Sequence, residues 1–234
     1  MTYSFQNQTD PLERARLRIV LATVFINVFG VALLVLAPWS NWRTGLALNL
    51  VDNFLLLSFV FLRRDFLIAR LMVFGVAVGF AELPADAWLV LHTHTLDYSV
   101  GGGPMLWCSP LWMPFAWQIV AVQFGYLGLR LWERFGVFGL VMIGALGAVN
   151  IPYYEEMARR IHWWTYSGCR MISFTPYYII VGEFGIAIAL ALLAVQLRRG
   201  TWQKAVAAGL IGGLAIFICY ALAYLVTDGL KPAR

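Results

Sequence analysis

The 234-residue chain carries 61% apolar side chains and only 12% charged ones, against about 25% charged in a soluble domain, and its mean hydropathy is +0.75. A soluble core of this length has no room to hide so much apolar surface, so a soluble domain is excluded and lipid must be the main solvent. The net charge of +5 sits in short basic clusters between apolar runs; these are topology signals and no phosphate-tracking face, so no nucleic-acid partner is expected.

Apolar runs fall near 18–37, 46–62, 67–91, 106–130, 135–154, 174–197 and 203–226, each near the roughly 20 residues that span a bilayer. They predict an all-α, polytopic integral membrane protein, a seven-transmembrane-helix bundle forming a single transmembrane domain over residues 1–234. The first run follows Arg14, Arg16 and Arg18 as a secretory signal would. Its length, and its end in Pro38-Trp39-Ser40 without a small-x-small cleavage site, predict a retained helix instead. In the third run Pro84 predicts a kink, while Gly75 and Gly79 permit close helix approach. No linker, low-complexity stretch or internal repeat divides the chain.

Basic residues between the runs set the orientation. Eleven (Arg14, Arg16, Arg18, Arg63, Arg64, Arg70, Arg130, Arg134, Arg198, Arg199 and Lys204) fall on one side. Six (Arg43, Arg159, Arg160, Arg170, Lys231 and Arg234) fall on the other. The positive-inside rule puts the N-terminus in and the C-terminus out, as expected of a multi-pass protein of a cell's inner (cytoplasmic) membrane. On the outer side two segments, His92–Met105 and 155–173, exceed a simple turn. They read as interfacial re-entry with Trp163, Trp164 and Tyr166 at headgroup level, or as a lid over a cavity.

Membrane helices exclude ionisable groups unless these face a cavity or a partner; an acid at mid-helix costs about 2.5–3.5 kcal/mol even on the lenient insertion scale. Asp52, Glu82, Asp86 and Glu183 nevertheless lie inside predicted spans, and Glu155, Glu156 and Asp228 at helix ends. The predicted topology gathers all seven into the outer half. Glu82 and Asp86, four apart, share one helix face, and Asn49, Asp52 and Asn53 share another. These acids either pair with Arg159, Arg160 or Arg170 and hold the bundle together, or serve proton chemistry. The predicted spans contain no internal cation to neutralise Asp52, Glu82 or Glu183, which favours the second.

Other chemistries thin out. The lysines are Lys204, at a helix mouth, and Lys231, so no mid-span lysine exists for a retinal Schiff base. His92, His94 and His162 are too few and too shallow for diiron or haem bundles. His92, His94 and Asp97 are the only metal-like grouping, and loop histidines are ordinarily solvated. No metal site and no cofactor is therefore expected. Cys108 and Cys169 both fall on the outer side and can bridge the two outer segments if oxidised.

Two local stretches carry resemblances. The run Tyr98-Ser-Val-Gly-Gly-Gly-Pro-Met-Leu-Trp107-Cys-Ser-Pro110-Leu-Trp112-Met-Pro114-Phe-Ala-Trp117 resembles the tyrosine-rich loop and Pro-x-x-x-Pro-x-x-Trp helix start of carotenoid hydratases and lycopene-cyclase-type membrane proteins. Asn150-Ile-Pro-Tyr-Tyr-Glu155-Glu156 is similar to the acidic helix end of the latter group. Together they cover about a sixth of the chain, which as a whole resembles an uncharacterised bacterial multi-pass membrane family. The resemblance implies an enzyme that protonates an isoprenoid or other lipidic substrate. Glu82, Asp86, Glu155 and Glu183 would then be the catalytic acids, and Asp52, Asn53, Tyr98, Trp107, Trp112, Trp117 and Tyr177 the substrate-binding residues, with rings facing a carbocation. A second stretch, Glu155-Glu156-Met-Ala-Arg159-Arg160, resembles the Glu-Glu-x-x-x-Arg element of intramembrane prenyl-protein proteases, but the last two predicted helices lack that family's histidines. The alternative expectation is a non-enzymatic membrane subunit or proton-linked transporter built on the same acids. The expected partners are the lipid bilayer and a lipidic or isoprenoid small molecule; oligomeric partners are unspecified.

Overall fold

The computed structural model describes residues 10–229; Lys231 and Arg234, counted above toward orientation, lie outside the described residues. The chain folds into long helices joined at one end by short turns and at the other by two elaborated loops. Helix α1 (Pro11–Leu36) starts earlier than the apolar run predicts, because Asp10 caps it by accepting from the Leu12 N–H and Pro11 opens the first turn. Helix α2 (Trp42–Arg63) is opened by a capping box between Asn41 and Thr44 and ended by Arg64 in the left-handed region at φ 49°. Helices α3 (Phe66–Ala81) and α4 (Leu83–Leu91) form one run interrupted at Glu82, just before Pro84, where the sequence predicts a kink.

The largest departures follow. Helix α5 (Met113–Phe135) begins about two turns later than its apolar run. Residues 104–112 instead form a hairpin of β1 (Met105–Leu106) and β2 (Ser109–Pro110), because prolines at 104 and 110 bracket it and a helical backbone needs their missing N–H groups. Helix α6 (Val137–Ile161) runs past Pro152 to Ile161, so Glu155 and Glu156 are helical and do not open a loop. Helices α7 (Tyr177–Val195) and α8 (Trp202–Thr227) match their runs closely.

Six of these segments, counting Phe66–Leu91 as one, are long and apolar enough to cross a membrane. The chain is mostly helical and a multi-pass membrane protein. Helix α5 is long enough but falls outside the six; Gln118, Gln123, Tyr126, Arg130 and two tryptophans lower its apolarity. In lipid, helices associate through close packing more than through hydrophobic burial. A Cβ on Gly79 would lie 2.0 Å from the Pro114 carbonyl oxygen, and one on Gly213 would lie 2.4 Å from Ala81. Glycine at these places lets α3 touch α5 and α8 backbone to backbone. Helices α3, α5, α7 and α8 make the dense centre, and α1 and α2 flank it with only 22% of their apolar windows buried.

At the turn end, Glu13 is 3% exposed and accepts from Arg16 (2.6 Å), Arg198 (3.0 Å) and Arg130 (3.2 Å). Arg16 also reaches Asp65 (2.6 Å), and Arg198 reaches Glu133 (2.8 Å). Several arginines read above as topology signals are therefore also the clasp that fastens α1 to α5 and to the end of α7.

Candidate functional site

The two long loops cover the opposite end. In the first, residues 92–112, β3 (Leu96–Asp97) precedes a 3-10 turn at Ser99–Gly101 and the β1–β2 hairpin. In the second, residues 162–176, β4 (Thr165–Tyr166) is followed by a hairpin of β5 (Met171–Ile172) and β6 (Thr175–Pro176). Strands β3 and β4 pair antiparallel, Leu96 against Tyr166 and Asp97 against Thr165, joining the loops into one cover.

Beneath it lies a cavity of about 270 Å³ whose walls come from seven helices and the cover. Three carboxyls line it: Asp86 from α4, Glu155 from α6 and Glu183 from α7. Counted from the covered helix ends at 1.5 Å per residue, they form one layer about 8–9 Å deep. Neutral donors satisfy each. Tyr98 and Ser109 hydroxyls both donate to Asp86 at 2.8 Å. The Trp164 indole N–H (2.6 Å) and the Tyr166 hydroxyl (3.2 Å) donate to Glu155. The Tyr220 hydroxyl donates to Glu183 at 2.6 Å. Burial and the neighbouring Asp86 and Glu82 charges push the Tyr98 phenol well above its ordinary range, so it remains a donor throughout neutral pH.

The arginines expected to neutralise these acids are elsewhere: Arg159 and Arg160 both bind Glu156, at 3.0 and 2.5 Å. Glu82 is fully buried, and neither of its carboxyl oxygens has a partner; it lies behind the layer, one turn from Asp86, and does not line the cavity. Apart from the acids and a few amides, the walls are apolar. The α5 wall runs from Met113 to Leu127, about 21 Å at 1.5 Å per residue.

Several expected residues are brought together and others are not. Tyr98, Trp112 and Trp117 line the cavity. Trp107 and Tyr177 do not; they are 62% and 42% exposed, because Trp107 occupies the β1–β2 turn and Tyr177 the outward face of the first turn of α7. Asn53 turns back to donate to the Asn49 carbonyl (3.0 Å), and Asp52 sits behind Asn27, which donates to it at 2.6 Å. Trp163, read as a belt residue, is buried in a cluster with Trp112 (ring centroids 5.2 Å) and Trp164 (6.1 Å). No disulfide is formed among the described residues, so Cys108 and Cys169 are not bridged. Partial burial, with the nearby Asp86 charge, pushes the Cys108 thiol up. The described residues hold no group of three or more His, Cys, Asp or Glu side chains placed to hold a metal ion. Sequence reasoning missed Asn27 and Gln123 and gave no site role to Asn49 and Asn150, all of which line the cavity; amides inside apolar spans were the available signal.

Fold and cavity define a helical multi-pass membrane protein with an acid-lined internal chamber. Residues 83–227 match a family described as a domain of unknown function (DUF6989), and the chain belongs to that family. The matched region takes in α4 to α8, both loops and the three lining carboxyls. No curated protein matches the chain, and no solved structure does.

Proposed function

We propose that this protein is a membrane enzyme acting by proton chemistry on an isoprenoid or other lipidic substrate, hydratase- or cyclase-like, with seven crossings, the N-terminus in the cytoplasm and the site in the outer half of an inner membrane. One observation carries the reading: a single cavity joins a layer of three carboxyls to a mostly apolar wall that extends about 21 Å along α5. A chain-like molecule fits the wall and presents a double bond to the acids. Asp86, Glu155 or Glu183 gives its proton to one alkene carbon, and the π pair forms the new C–H bond. The neighbouring carbon becomes a cation facing the rings of Trp112, Trp117 and Tyr98. Water then adds its oxygen and returns a proton to a carboxylate, or an internal double bond closes a ring and a C–H proton returns. Glu82 stands behind Asp86 as a second proton holder.

The test is to extract and identify lipids retained by the purified protein, then to assay Glu183→Gln and Asp86→Asn on that lipid class. Retained isoprenoid or polyene lipid, and loss of its conversion in variants that still purify monodisperse, are expected. A preparation that retains none and converts none defeats the reading.

One observation favours a second reading, a non-enzymatic subunit or proton-linked transporter. Asp86 and Glu155 each hold donors from the cover, Tyr98 and Ser109 on one, Trp164 and Tyr166 on the other, so the same acids are fitted to latch a gate. Under that reading Glu155→Gln changes proton flux into liposomes and converts no lipid.

A further inference from the structure

A second polar layer lies deeper in the cavity than the acids. Counted from the covered helix ends at 1.5 Å per residue, Asn27 of α1, Asp52 of α2, Gln123 of α5 and Asn150 of α6 lie about 14–17 Å deep. Asn49, one turn above Asp52, accompanies them. Four amides from four helices line the cavity there, in the apolar middle of the bundle where polar side chains are costly without a purpose.

Their orientation is fixed by what their N–H groups bind. Asn27 spends its NH2 on the Thr23 carbonyl (3.1 Å) and on Asp52 (2.6 Å), both acceptors. Asn49 donates to the Gly45 carbonyl at 2.8 Å. Gln123 donates at 3.2 Å to the Thr23 hydroxyl, whose own hydrogen goes to the Val20 carbonyl. No flip of these three amides keeps these bonds, since each would set oxygen against oxygen. Their carbonyl oxygens therefore remain, without a donor among the described residues, on residues that line the cavity. Asp52 is 0% exposed, and its second carboxyl oxygen has no partner.

Three amide oxygens left without donors, beside a buried carboxyl oxygen that also has none, call for a positive charge. We infer that the Asn27–Asn49–Asp52–Gln123 layer is a binding site for one monovalent cation. Asp52 supplies a single negative charge, which a monovalent ion balances and a divalent ion would exceed. Hard carboxylate and amide oxygens suit an alkali ion, as carbonyl oxygens do where they replace an ion's hydration shell. The same oxygens suit the ammonium group of an organic ligand. The site does not depend on the proton chemistry proposed above, because it uses none of the lining acids.

The experiment is equilibrium binding of radioactive sodium to the purified full chain in detergent, in choline chloride at constant ionic strength, with unlabelled NaCl, KCl and n-octylammonium chloride as competitors. Saturable binding near one ion per chain is expected. Asp52→Asn should weaken it at least tenfold and Gln123→Leu severalfold, whereas Asp86→Asn should leave it in place. If sodium and potassium fail to bind but n-octylammonium does in a calorimetric titration of the same preparation, with the same dependence on Asp52, the charge belongs to a ligand's head group and the site stands. Absence of saturable binding by all three, or undiminished binding in monodisperse Asp52→Asn protein, overturns the inference. Should Asp52→Asn fail to fold, Gln123→Leu and Asn27→Leu decide, since unchanged binding in both overturns it equally. Because Asp86→Asn separates the two layers, failure here leaves the acid-chemistry reading untouched, and the reverse also holds.

Discussion

The indole N–H of Trp164 reaches 2.6 Å to a carboxyl oxygen of Glu155. One residue is on a loop and the other is 4% exposed inside α6. That bond makes the cover part of the acid layer: the loop supplies a donor that the buried carboxyl needs, and the carboxyl gives the loop a fixed seat.

Replacing Trp164 by Phe keeps the ring and removes the N–H. Leaving a buried acceptor short of a donor costs about 1–3 kcal/mol. Backbone amides of residues 162–176 should exchange with deuterium at least severalfold faster than in the parent, while exchange in α3 stays unchanged. Equal exchange in the loop would show that the bond does not hold it.

The turn end offers a contrasting test. Breaking a buried ion pair by removing one partner costs about 3–5 kcal/mol, but Asp65 still holds Arg16, and Glu133 still holds Arg198 and Arg130, so about 2 kcal/mol is expected for Glu13→Gln. Its detergent melting temperature should fall, and α1 should become the first segment cut by protease. An unchanged melting temperature would deny the clasp its role.

At Gly79 the consequence is steric. A Cβ there meets the Pro114 carbonyl at 2.0 Å, and backbone cannot yield as a side chain can. Gly79→Leu should cost at least the about 1–3 kcal/mol typical of an overpacked core. The readout is the monodisperse fraction after extraction; Gly136→Leu, where nothing lies within 4 Å but φ is +58°, separates packing from backbone strain. Normal yield of Gly79→Leu would mean that α3 and α5 are not in that contact.

Cys108 reports on Asp86 from outside the spans. Thiolate is the reactive form, and burial with a nearby negative charge raises the thiol's pKa, so less thiolate is present at a given pH. Maleimide labelling of a Cys169→Ser, Cys219→Ser protein should reach half its maximal rate at higher pH than an exposed peptide thiol. Asp86→Asn should bring the profile part of the way back. A profile coincident with the free peptide would remove the shift.

Apolar runs fixed by the length of a bilayer made the long helices legible, and the cost of burying charge singled out the acids. What stayed hidden had local causes. Glu13, Arg14, Arg16 and Arg18 look like a polar leader, yet they extend α1, because Glu13 and Arg16 are held in ion pairs while Arg14 and Arg18 face outward. The stretch from Met105 to Trp112 is apolar enough to pass for helix, and only its bracketing prolines argue for a hairpin. Among the tryptophans, sequence cannot separate Trp112, which is 4% exposed, from Trp107, which is 62% exposed, since the turn between them decides which way each points. The oxygen layer at Asn27 and Asp52 depends on residues from separate helices and on which end of each amide is spent. No pattern along a single chain carries that.

The pairing of Leu96 with Tyr166 has a consequence for how this protein can change. Tyr98 and Tyr166 serve different carboxyls, yet one directly follows, and the other lies on, a pair of strands that hold each other in register. A chimera that exchanges only one of the two loops with another member of the family would inherit half of a matched ladder, whereas exchange of both together transplants the whole lid.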